Sequence, residues 1–153
     1  MIRRLFLLTT LAATLAGAAA LPYDETADAK AAVQQALAAA KADKVPVLLV
    51  FGANWCEDCR ALDLALKTGR NANLMAKEFK LVKIDVGNFN RNIDIARMYG
   101  DPIKMGIPAA VLLSPDAKVL YATRAGELAD ARRMSESGIH DFFKGVVQTA
   151  KAQ

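Results

Sequence analysis

The chain has 153 residues, 54% of them hydrophobic, with 20 Lys and Arg against 16 Asp and Glu. That length suits one domain with a sizeable core. Setting Arg3 and Arg4 aside leaves a net charge of about +2, and no Arg/Lys cluster is interleaved with aromatics, so nucleic acid is not an expected partner.

Residues 1–20 read as a cleaved signal peptide. Arg3 and Arg4 form a charged start, 5–15 are apolar but short for a spanning helix, and Ala18, Ala19 and Ala20 fit a signal-peptidase site. The next cysteine is Cys56, so no lipid is attached at a new N-terminal cysteine. With no Asn-x-Ser/Thr site and no ER-retention tail, the expected compartment is a bacterial periplasm.

Residues 21–153 are then one domain with an additional N-terminal helix. An extended lead-in, 21–26, precedes an alanine-rich helix over 28–43, capped by Thr26 or Asp28 and with Val33, Leu37 and Ala40 at helical spacing. The apolar run 45–51 suits a strand buried on both faces, with Pro46 tolerated at its start. Helical sequence follows through Leu62 and Leu66, loosens at 68–71 and resumes through Met75 and Phe79. A second strand spans 81–86. A polar connection containing Phe89, a short helix over 93–99 and an irregular loop over 101–105 come next. Strands 109–113 and 119–122 are joined by a turn at 114–116, and Ile139, Phe142, Phe143 and Val146 mark a last helix. Tyr23, Phe142 and Phe143 read as packing residues, and His140 as a surface residue. The pattern predicts an α/β fold, a mixed sheet of about four strands with helices on both faces.

The only two cysteines lie in Trp55-Cys56-Glu57-Asp58-Cys59, between the first strand and a helix. A helix start favours a thiolate, and a second thiol one turn on can displace whatever joins the first. A structural disulfide closing so small a loop would contribute only about 2 kcal/mol before strain, a poor staple. Zinc needs about four ligands, and only the distant His140 could join the two cysteines; two thiolates could hold copper(I). No metal site is expected. Glu57 and Asp58 oppose negative charge on Cys56 and make the pair more reducing, whereas Trp55 is placed to shield the thiol and touch substrate.

Trp55-Cys56-x-x-Cys59 after an apolar strand, Ile84-Asp85-Val86, and Tyr99-Gly100 ahead of Gly106-Ile107-Pro108 together resemble the thioredoxin superfamily, in particular its exported members with an extra N-terminal helix. The resemblance implies a protein disulfide reductase in which Cys56 attacks a substrate disulfide and Cys59 resolves the mixed disulfide. It further implies that Pro108 is cis beside the cysteines, and that the backbone of Ile107 pairs with substrate peptide. Three positions depart from it. Val50 stands where reducing members carry a buried proton-accepting acid, 101–105 is an insertion near the site, and Ala109 replaces a frequent threonine. Water, Asp58 or Asp63 would then handle the proton, and Met105 is a candidate apolar contact. With no Gly-rich nucleotide signature, no cofactor is expected and electrons come from a membrane or periplasmic redox partner. Disulfide-containing proteins are the expected substrates. The chain has no room for an added dimerisation domain, so a monomer is expected. The alternatives are a disulfide isomerase or oxidant, and a non-enzymatic copper-binding chaperone.

Overall fold

In a computed structural model, residues 20–153 are described; the expected leader, apart from its last residue, lies outside them. Among the described residues nine α-helices and β-strands follow one another: α1 (Ala29–Asp43), β1 (Val47–Gly52), α2 (Glu57–Leu66), α3 (Gly69–Glu78), β2 (Lys80–Asp85), α4 (Ile93–Met98), β3 (Ala109–Leu113), β4 (Val119–Ala122) and α5 (Glu136–Lys151). Asp28 caps α1, its carboxylate accepting from the Ala31 N–H at 3.0 Å, which decides between the two expected caps. The strands form one mixed sheet in the order β2-β1-β3-β4, with β1 parallel to β2 and the other neighbours antiparallel. Among the described residues no helix is long and apolar enough to cross a membrane.

Every residue of β1 is buried, as the apolar run requires of a central strand covered on both faces. Alternation then divides the core. Val47, Leu49 and Phe51 pack with Val33, Ala40, Ile95 and Ala96 from α1 and α4, while Leu48 and Val50 pack with Leu62, Met75, Ile139 and Phe143 from α2, α3 and α5. Val50 is thus an apolar core residue. The helical break expected at 68–71 is a real boundary: α2 stops at Leu66 and Thr68 precedes α3.

Two local expectations need correction. Residues 101–105 are ordered by a 3-10 turn, Pro102–Met105, because Pro102 presets its first residue and Ile103 is buried beneath it. His140 is half-buried, its Nδ1 lying 3.1 Å from Asn71 Oδ1, so it ties α5 to α3.

Candidate active site

β1 delivers the chain to a turn that places Cys56 at the N-cap of α2. Cys56 keeps an extended backbone, and its sulfur takes the place of a capping oxygen, accepting the Cys59 N–H at 3.1 Å. The helix therefore directs its unpaired N–H groups at this sulfur, which favours the thiolate. A disulfide joins Cys56 to Cys59 with their Cα atoms 5.2 Å apart. Cys56 is 6% exposed and Cys59 is 0% exposed, so an attacking or departing thiol reaches only Cys56. On the other side of the pair the Ile107–Pro108 peptide is cis, and the Ile107 carbonyl oxygen lies 3.7 Å from Cys56 Sγ. Chain positions fifty residues apart meet at one sulfur.

Residues 28–115 match the family described as thioredoxin-like. The chain belongs to the thioredoxin-like family. A protein from Xylella fastidiosa Temecula1, described as a disulphide isomerase, has a structure 58% identical to it, covering 84% of this chain and 98% of that one with a TM-score of 0.83. A thioredoxin from Thermus thermophilus (22% identity, 75% and 81% covered, TM-score 0.53) shares the fold. So does the C-terminal domain of DsbD from Neisseria meningitidis (20% identity, 75% and 94% covered, TM-score 0.50). No curated protein matches the chain. Its Cys56–Cys59 pair on this fold makes the thioredoxin-like chain a thiol–disulfide oxidoreductase.

The surface around Cys56 contains two residues that the sequence reading passed over. Trp55 is exposed, its indole N–H donating to the Gly87 carbonyl at 2.9 Å, and its ring centroid lies 6.2 Å from that of Phe89. Phe89 is therefore part of the rim rather than a mere connection. Arg132, from a turn just before α5, grips both acids of the motif: its guanidinium is 2.6 Å from Glu57 Oε2, and its backbone N–H donates to Asp58 Oδ1 at 2.9 Å. One cation offsets part of the charge that the two carboxylates bring to Cys56. A shallow groove results, lined by Trp55, Cys56, Glu57, Phe89, Ile107 and Arg132.

Beneath the pair the chain is polar. Asp63, facing inward from α2, forms an ion pair with Lys83 of β2 and a second one with Lys67 at 2.8 Å. Burial pushes the Lys83 ammonium down to about 8, and the Asp63 carboxylate works against that push. Lys83 Nζ also stands 5.5 Å from the centroid of the Tyr23 ring. Asp85, at the end of β2, accepts the Gly87 N–H at 3.1 Å and pairs with Arg91 at 3.0 Å through Oδ2. Its Oδ1 is buried with no hydrogen-bond partner among the described residues. Burial raises the Asp85 carboxyl, against the pull of Arg91. Of the two acids expected to handle a proton, Asp58 is engaged by Arg132 and Asp63 by two lysines.

Proposed function

We propose that this protein is an exported thiol–disulfide oxidoreductase that reduces disulfides in substrate proteins. Residues 1–20 act as a cleaved signal peptide and 21–153 as the working periplasmic domain. Cys56 is the nucleophile and Cys59 the resolving thiol; Trp55, Ile107 and Pro108 contact substrate, and Glu57 and Asp58 tune the pair. The observation that carries this reading is the unequal access of the two sulfurs, one reached from the groove and one fully enclosed. In the reductive direction the Cys56 thiolate attacks a substrate sulfur, and the other substrate sulfur leaves. Cys59 then takes Cys56 Sγ, the second substrate thiol departs, and two electrons have passed to the substrate.

The cycle leaves the pair oxidised, so a membrane or periplasmic redox partner resupplies electrons to the monomer. Glu57 and Asp58 still outnumber Arg132 beside Cys56, which supports a weakly stabilised thiolate and a reducing disulfide. The reduction potential, measured in defined thiol buffers, tests this. A value around −270 mV, in the thioredoxin range, agrees; one near −120 mV refutes it and makes the protein a disulfide donor. An intermediate value around −180 mV favours isomerisation, the second reading, which the description of the 58% identical Xylella protein supports.

A further inference from the structure

Gly52 ends β1 directly beneath the disulfide. A Cβ built there would overlap the Tyr23 hydroxyl and lie 2.9 Å from Cys59 Sγ. The phenol oxygen and the resolving sulfur thus both border the space above Gly52, the one position of the strand that lacks a side chain. Tyr23 arrives from the lead-in ahead of α1 and is 2% exposed. Paired bonds hold it there: the Tyr23 N–H donates to Asn54 Oδ1 and Asn54 Nδ2 donates to the Tyr23 carbonyl, both at 2.9 Å. Arg91 anchors the same segment, donating to the Glu25 carbonyl at 3.0 Å and pairing with its carboxylate. A lead-in fixed by side chains next to the motif is a built part of the site, where the sequence suggested packing alone.

We propose that Tyr23 serves the resolving cysteine, its hydroxyl donating a hydrogen bond to Cys59 Sγ whenever that sulfur carries negative charge. The idea rests on Cys59 being the resolving thiol. In the resolving step Cys59 loses its proton and its sulfur forms the bond to Cys56 Sγ. The Cys56–substrate bond breaks, and the departing sulfur keeps the bonding pair and takes up a proton. In the reverse step Cys59 leaves as the thiolate. Both directions place charge on a sulfur with no exposed surface, in the same core layer as Tyr23, while Val50 faces the opposite layer.

The groups that face the phenol suit it to donation. Asp85, the parallel partner of Gly52, raises the phenol by its charge, adding to the larger effect of burial, so the hydroxyl keeps its proton. Lys83 lies near the ring and is itself paired with Asp63. Arg91 is occupied by Asp85 and Glu25. Cys59 is bonded to Cys56 and borders the same space as the phenol, and the buried Asp63, one turn further along α2, is paired with Lys83 of β2.

The test is a pH titration of both reduced thiols, followed by the carbon-13 shifts of their β-carbons in the full chain. Tyr23→Phe removes one oxygen and keeps the ring. Its Cys59 midpoint is expected to rise by about one unit, roughly tenfold less thiolate at a given pH, with Cys56 nearly unmoved. Replacing the tyrosines with a ring-fluorinated tyrosine, a stronger donor of similar shape, lowers the Cys59 midpoint and keeps the idea testable should the phenylalanine chain not fold. An unchanged Cys59 midpoint in either protein overturns the proposal. Failure of the reductase reading shows elsewhere, in the reduction potential.

Discussion

Replacing Gly52 by alanine asks whether Tyr23 and Cys59 really occupy the space above β1. The backbone of Gly52 is not in the left-handed region, so alanine is compatible with its conformation. In open space Gly→Ala in such a backbone would stabilise the fold by about 0.4–1 kcal/mol through the unfolded chain. Here the new methyl overlaps the phenol of a residue whose backbone is held by two hydrogen bonds, and it crowds a sulfur fixed in a disulfide. Overpacking of that kind costs about 1–3 kcal/mol, which exceeds the gain. With a urea m-value of about 1–3 kcal/mol per molar, the unfolding midpoint of oxidised Gly52→Ala is expected to fall by about 1 M. Far-UV circular dichroism in urea measures it. In a Tyr23→Ala background the phenol contact is gone, and the cost should shrink to what the Cys59 sulfur alone imposes. A midpoint equal to or above that of the parent would refute the placement of Tyr23.

Two further outcomes follow from charges near the pair. Asp63→Ala leaves the mostly buried Lys83 without its nearest carboxylate and should cost about 3 kcal/mol in denaturant unfolding, whereas Asp63→Leu with Lys83→Met should be nearly neutral; equal losses in both would show that the pair is not the relevant interaction. Arg132→Ala removes the cation that offsets Glu57 and Asp58. The pair should become more reducing by about 10 mV, a few tenths of a pK unit after solvent screening; a shift to a less negative potential would reverse the assigned sign.

Most of the scaffold is legible in sequence because its signals are local. The apolar run around Leu48–Phe51 encodes a two-sided strand, Asp28 announces a helix start, and the spacing of Cys56 and Cys59 places both on one turn. The rest of the site depends on long-range meetings. Arg132 reaches acids some seventy residues earlier, Phe89 meets Trp55 at a tilt from a loop without periodicity, and Tyr23 belongs to no repeating face. One signal for Tyr23 existed: a glycine closing an otherwise apolar strand marks a close approach by something else. Nothing in the chain order identifies that something as a residue from the lead-in.

The clamp between Tyr23 and Asn54 brings the lead-in ahead of α1 up against the cysteine pair. If a leader is removed after Ala20, as proposed, the new terminus is Leu21, two residues ahead of Tyr23. On the proposed roles of the leader and of Tyr23, the position of the cut and the reactivity of the sulfur are bound together. Trimming a few residues further would delete a component of the centre while sparing every strand, and an affinity tag fused at this end would sit on the doorstep of the disulfide.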